Sequence, residues 1–506
     1  MNLMKTIVVM FLTCTTSMTG LAQSQGKTVD DPVAADSKAT TRLFELCQDP
    51  DASPEAVASA IRDGADLKAE FEVPTRPRLL NNPEVMQRRT AFKLAVMNAR
   101  NPEVLQVLID AGSTLTRWTV QLAAKHNPNP EVIAKLKAWY AQIPDAHELN
   151  AINLFLEACE SNESVASIRW FLETQGADPN APDSKNMGMT AFQAACGNNP
   201  NPEVIELLVD EGGILEATGR GKISPLMFAA MSNTPETTEL LIKAGAKVND
   251  RTQKGMSAYL YAALRSRYPD MFEVLVTNGA NPNAMEYGVN AIEMSAAINQ
   301  NPGIMTAIIA AGTRLPPLTK RGDSVLEWAF GNESPSVVEA LVEAGVDPNP
   351  KNAEPPLLAF AGMNENPEVI QALLDAGADV NARSIKVDIE LLEYKPFFVQ
   401  GTTPLMLACT NISTEKIVPF ITVFLEGGAN VNDANQGGYT PLMFAVSKKY
   451  KNERTADVIR LLIEAGADPS ARNKEGITAQ DIADANPALQ RTDLDAAFQP
   501  TASKPG

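Results

Sequence analysis

A short phrase close to Ala-Gly-Ala-Asp returns about every 33 residues along this chain and closes an apolar, helix-like run each time. Its glycine is Gly64, Gly176, Gly245, Gly279, Gly345, Gly377, Gly428 and Gly466, with looser copies at Gly112, Gly212 and Gly312. From Gly212 to Gly377 the successive gaps are 33, 34, 33, 33 and 32 residues. A fixed period of that size specifies a stack of small like units, none of which buries its apolar face alone. It overrides the roughly three or four globular domains that a chain of 506 residues would otherwise suggest.

Residues 224–250 show how one unit is written. Ser224-Pro225 opens a first helix with a capping hydroxyl and a proline at the first helical position. Leu226 to Ala230 follow, and the alanines permit close approach of neighbouring helices. Thr234-Pro235-Glu236 starts a second helix, which carries Leu240, Leu241 and Ile242 to the core and stops at Gly245. There a left-handed cap is needed, and glycine has no Cβ to oppose it. Val248 and Asn249 begin an extended segment whose turn, Asp250 to Gly255, leads to the next unit. The second start is often Asn-Pro-Glu, at 82–84, 101–103, 129–131, 201–203 and 366–368. Asn caps, Pro presets φ and Glu complements the helix dipole, so these residues have a structural explanation and no assigned function.

Helix, turn, helix and hairpin at this period resemble the ankyrin repeat. Thr403-Pro404-Leu405-Met406-Leu407-Ala408 and Thr440-Pro441-Leu442-Met443-Phe444-Ala445 match that family's Thr-Pro-Leu-His-x-Ala phrase in all but one place. Ala376-Gly377-Ala378-Asp379-Val380-Asn381 matches its second-helix ending. The resemblance implies a mostly α solenoid of about twelve units over residues 41–485, acting as a binding scaffold. The family's histidine, which helps tie adjacent units by hydrogen bonds, is replaced by Met227, Met406 and Met443. Apolar packing is therefore expected to carry more of the cohesion between units.

Three places break the rhythm. Residues 67–89 insert a segment between the first two units, 116–149 keep two helical patterns without the glycine stop, and 382–402 lengthen one hairpin. Outside the stack, 23–40 read as a polar linker and 486–506 as a capping segment with a loose tail. Residues 1–22 read as a cleaved secretory signal: Lys5, an apolar run from Thr6 to Met18, then Gly20-Leu21-Ala22. That run falls short of the ~20 residues of a spanning helix, so a soluble, periplasmic or secreted, monomeric chain is expected. Its source is read as bacterial, with a eukaryotic secretory origin as the alternative. In that case the sequons at Asn162, Asn332 and Asn411 would matter.

Charge and cysteines narrow the partners. The net charge of −18 disfavours nucleic acid and anionic lipid. Cys47, Cys159, Cys196 and Cys409 each close a first-helix phrase at the small inward position held elsewhere by alanine. Equivalent positions on stacked helices lie ~8–10 Å apart, beyond disulfide reach, so buried free thiols are expected. The two histidines, His126 in the inter-helix loop and His147 in a later loop, have no zinc-ligand spacing around them. Neither a nucleophile elbow nor a phosphate-cradling glycine loop is present. No enzyme, metal or cofactor is expected.

The candidate contacts lie on hairpins. Lys185, Arg220, Lys222, Arg251, Lys254, Lys320, Arg321, Arg383, Lys386, Arg472 and Lys474 sit at tips and in register would form a broken basic stripe, interrupted by Glu286 and Tyr287. Such an edge would steer an acidic protein partner, although turn geometry alone also favours these residue types. In the long hairpin, Ile385 to Leu391 alternates apolar and polar residues, and Tyr394, Phe397 and Phe398 follow. Exposed aromatics beside a strand edge suit capture of a protein; the alternative is that they only seal the stack. The leading expectation is an exported scaffold binding another protein through hairpin tips and a concave helical face, with an inhibitor or immunity-type protein as a special case. A structural envelope component with weak multivalent contacts is the alternative.

Overall fold

The computed structural model describes residues 37–74, 86–144, 149–183, 188–216, 221–317, 324–350, 364, 366–384, 400–410, 416–447, 454–486 and 498. They fall into two bodies, one ending at Gln253 and one beginning at Lys254. Each body is a stack of helix pairs. In the first body the pairs are 37–48 with 54–62, 91–98 with 103–110, 117–126 with 130–140, 151–161 with 165–175, 191–198 with 202–210, and 225–232 with 235–243. In the second they are 258–265 with 270–277, 291–298 with 302–310, a 3-10 turn 325–331 with 335–343, 404–408 with 417–426, and 441–446 with 455–464. The second helix 367–375 precedes 404–408, and 479–485 follows the last pair. The repeat therefore folds as an α-helical solenoid stack, as its period requires.

First helices stack on first helices, as Ala191–Asn198 does between Ala151–Ser161 and Pro225–Ser232. The contact surface is built of small residues: Ala158, Ala195, Ala229 and Ala230 are wholly buried. Phe155 and Phe192 fill the layer between helices, each contributing roughly 2–3 kcal/mol of apolar burial. Every one of the eleven phrase-closing glycines has positive φ, from 62° to 108°. At Gly245 the turn is completed by Ala246 N–H donating to Leu241 O at 2.9 Å. Four of the five Asn-Pro-Glu starts cap as written: Asn101, Asn129, Asn201 and Asn366 accept from the N–H of Glu103, Glu131, Glu203 and Glu368 at 3.0–3.1 Å, and the start at 82–84 lies outside the described residues.

The expectation that apolar packing replaces the missing histidine ties is corrected by a buried asparagine ladder. Asn127 Nδ2 donates to Val96 O and Ala99 O at 2.9 and 3.0 Å. Asn162 donates to Ala124 O and Asn127 O at 2.9 and 2.8 Å, and Asn199 to Cys159 O and Asn162 O at 2.8 and 2.9 Å. Asn233 continues to Cys196 O and Asn199 O. In the second body Asn299, Asn332 and Asn364 repeat the pattern. Each side chain takes the carbonyls that the preceding first helix leaves open at its C-terminus. Its own Oδ1 accepts from the main chain one or two residues on, as Asn233 does from Thr234 N at 2.8 Å and Asn199 from Asn201 N at 2.9 Å.

A second ladder runs through the loops after the glycines. Asn349 donates to Gly377 O, Asn381 to Gly428 O and Asn432 to Gly466 O, at 2.7, 3.1 and 2.8 Å. Their Oδ1 atoms accept from Asp379, Asn430 and Asp468 N–H, each at 2.8 Å. Neighbouring units are thus clamped by main-chain recognition at two levels, through ties that do not involve Met227, Met406 or Met443. Its thioether even accepts locally: Ser224 N–H lies 3.4 Å from Met227 Sδ, and Thr403 N–H 3.4 Å from Met406 Sδ.

Several expectations are resolved by burial. Cys47, Cys159, Cys196 and Cys409 are buried free thiols, and burial pushes all four above the usual thiol range. Asn162 and Asn332 are 2% exposed and are rungs of the ladder, so neither sequon can carry a glycan in the folded chain; Asn411 lies outside the described residues. His126 is the last residue of the helix Arg117–His126, which corrects its placement in a loop. The insertion at 67–89 contains an antiparallel ribbon, Glu70–Pro74 paired with Met86–Thr90. Phe71 from that ribbon packs on Phe44 with ring centroids 3.7 Å apart. The first helix begins at Ser37, inside the stretch expected as linker, and Ala39 and Thr40 are buried.

Candidate protein-binding surface

The last three hairpin tips of the second body are joined in a row. Ser384 N–H donates to Thr402 O and Gly401 N–H to Ser384 O, which closes the base of the long hairpin. Gln400 O then accepts from Gln436 N–H at 3.0 Å, and Gly437 O from Lys474 N–H at 3.0 Å. Three successive tips are therefore joined through main-chain hydrogen bonds. Asn435 Oδ1 holds its own tip by accepting from Gly437 and Tyr439 N–H, and Asn473 Oδ1 does the same for Glu475 and Ile477.

The basic residues on these tips have different roles. Arg383 pairs with Asp433 at 2.9 Å and donates to Ala434 O at 3.1 Å, so its charge fastens one hairpin to the next. Arg472 donates to Gly476 O at 2.6 Å and closes its own turn. Lys474 is exposed beside it. Lys254 is exposed and exerts its field on Glu286, a carboxylate only 5% exposed. In the first body Lys222 and Arg251 are exposed, Lys222 with a left-handed φ of 49°. Lys185, Arg220, Lys320, Arg321, Lys386, Tyr394, Phe397 and Phe398 lie outside the described residues, as do His147 and the segment 1–22.

A second surface opens where the first body lacks a hairpin. Only Ser113 to Thr116 separate Gly112 from the helix Arg117–His126. That helix and its neighbour Ala151–Ser161 start earlier, relative to Asn127 and Asn162, than the other first helices do relative to their ladder asparagines. The overhang leaves Trp118 65% and Ile152 40% exposed. Below them a polar strip crosses the two helices. Gln121 Nε2 donates to Glu157 Oε1 at 2.9 Å, and Lys125 pairs with Glu160 at 3.6 Å. Burial raises the Glu157 carboxyl above its usual range, against the pull of Lys125 and Arg117.

A family profile for ankyrin repeats matches residues 154–252, 214–286 and 385–473, and a second matches 354–385. Together they span half of the chain, with the helix pairs and glycine caps just described. The chain is an ankyrin-repeat protein. It is 25% identical over 347 residues to the E3 ubiquitin-protein ligase KEG of Arabidopsis thaliana, covering 65% of this chain and 19% of that one. It is 44% identical over 62 residues to the human 2-5A-dependent ribonuclease, covering 12% of this chain and 8% of that one. The chain thus spans a small part of the length of each relative.

Ankyrin repeats are protein-interaction scaffolds. The described residues contain no group of three or more His, Cys, Asp or Glu side chains able to hold a metal, and no helix long and apolar enough to cross a membrane. The tips were legible in the sequence as turns between repeats. The Trp118 strip was missed, although the shortness of the link from Gly112 to Arg117 marks the absent hairpin.

Glu286 supplies a test of tip electrostatics. It closes a tight turn, with Glu286 N–H donating to Val289 O at 2.9 Å and Val289 N–H to Glu286 O at 2.8 Å. Burial pushes its carboxyl up to about 7, with Lys254 opposing. The folded state then binds more protons than the unfolded chain between its ordinary value of 4.5 and about 7, so stability falls as pH rises through that window. Glu286→Gln is expected to raise the urea midpoint at pH 8 and leave it near the parent value at pH 4. Equal midpoints for the two chains at pH 8 would contradict the assignment.

Proposed function

We propose that this ankyrin-repeat chain is an exported scaffold that binds another protein along its hairpin tips and first-helix face. The joined row of tips from Gln400 through Gln436 to Lys474 carries the reading, because a preorganised edge loses little entropy on binding. Exposed Lys222, Lys254 and Lys474 at tips favour an acidic surface on the partner. The composition of residues 1–22 supports export. As an inhibitor or immunity-type protein, the chain would bind one-to-one and suppress its partner's activity.

The test is affinity capture with residues 23–506 from an envelope extract of the source organism. A parallel bait carries Lys222→Glu, Lys254→Glu and Lys474→Glu. A dominant partner captured by the parent and lost at least tenfold by the charge-reversed bait is the expected result. Equal capture by both baits would remove the tips from the reading.

A further inference from the structure

The polar strip under Trp118 contains acceptors without donors. Gln121 is 7% exposed, yet its Oε1 has no hydrogen-bond partner, because its amide nitrogen is turned to Glu157. At the equivalent place in a later repeat, Gln193 accepts from Thr190 N–H at 3.0 Å and donates to Ile223 O, in the link before the next first helix, at 2.9 Å. In the strip the equivalent residue is Trp118, in the first turn of its helix, and no N–H reaches Gln121 Oε1. Asn153 Oδ1, one turn before Glu157, is also buried without a donor.

The charges point the same way. Lys125 is engaged with Glu160, and the Glu157 carboxylate, which feels Lys125, Glu160 and Arg117, holds a hydrogen bond from Gln121. Trp118 lies one helical turn before Gln121 and presents its indole to solvent. A carboxylate with one hydrogen bond beside an exposed indole has a donor-rich cation as its complement. Guanidinium fits best, since its planar fork stacks on an aromatic ring and bonds a carboxylate together.

We propose that the hairpin gap between Gly112 and Arg117 is a docking site for an extended segment of a partner protein, which places an arginine between Trp118 and Glu157 and apolar side chains toward Ile152. The site rests on the protein-binding reading above and adds the chemistry of what it takes. Arg117 competes for Glu157, so its removal should strengthen binding.

The probe is a fluorescein-labelled acetylated peptide of alternating valine and arginine, three of each, with a valine-glutamate peptide as control. The full chain from residue 23 is titrated by anisotropy at 0.15 M salt. The arginine peptide should bind, Trp118→Ala and Glu157→Gln should each weaken it at least tenfold, and Arg117→Ala should leave it equal or tighter. Unchanged urea midpoints would show that these surface variants fold. Affinity within twofold of the parent in both Trp118→Ala and Glu157→Gln would overturn the proposal, as would equal binding of the glutamate peptide. Either result leaves the capture experiment untouched, so failure of this site is distinguishable from failure of protein binding as such.

Discussion

Asn199→Ala is expected to destabilise the first body by about 2–4 kcal/mol, read from urea midpoints. The side chain is fully buried and makes three hydrogen bonds: to Cys159 O, to Asn162 O and from Asn201 N–H. Truncation leaves both carbonyls facing a methyl group in the interior, without the amide that donated to them. The damage falls on a junction between repeats, where a solenoid stores much of its stability. Asn201, two residues on, is the control. It also bridges repeats, donating to Glu163 O at 2.7 Å and capping Glu203 at 3.0 Å, but both bonds are exposed. Its alanine variant should cost about 1 kcal/mol, as a lost cap does. If the two variants lose equal stability, the buried ladder is not the tie between repeats.

Gly438→Ala should cost about 3 kcal/mol or more, whereas Gly466→Ala should cost about 1 kcal/mol. Both glycines have positive φ, 77° and 92°, so both alanines carry the left-handed penalty. The difference is space. A Cβ at Gly466 meets nothing within 4 Å, while one at Gly438 would lie 2.9 Å from both Asn473 Cα and Lys474 N. Those are main-chain atoms of the next tip, and they can move only by breaking the bond from Lys474 N–H to Gly437 O. Gly438→Ala should therefore also weaken partner capture if the joined tips are the binding edge. Matching urea midpoints for the two variants would show that the tips are not held in contact.

Asn199 also shows how far a sequence of this kind can be read. The cap at Asn201 was legible, because Asn-Pro-Glu before an apolar run has one local explanation. Asn199, in the same Asn-Pro-Asn-Pro phrase, carries no local signal of its role, since its partners are carbonyls 37 and 40 residues earlier. Met227, Met406 and Met443 suggested a loss of ties for the same reason: the compensating donor sits on another turn of the repeat. Arg383 shows the converse at a candidate contact. It looked like a tip cation open to a partner, and Asp433 and Ala434 of the next hairpin engage it.

The sequence by itself determined the repeat, the helix pairs, their caps and the inward-facing thiols. Each depends on a periodicity or a backbone preference acting within a few residues, and a glycine that needs positive φ is visible wherever it stands. Only the tertiary structure decided which polar groups are spent between repeats and which are left over. That depends on whether a hairpin exists to cover the start of the next helix. Where it is absent, Trp118 stays in water and Gln121, with its amide nitrogen turned to Glu157, keeps an unanswered oxygen.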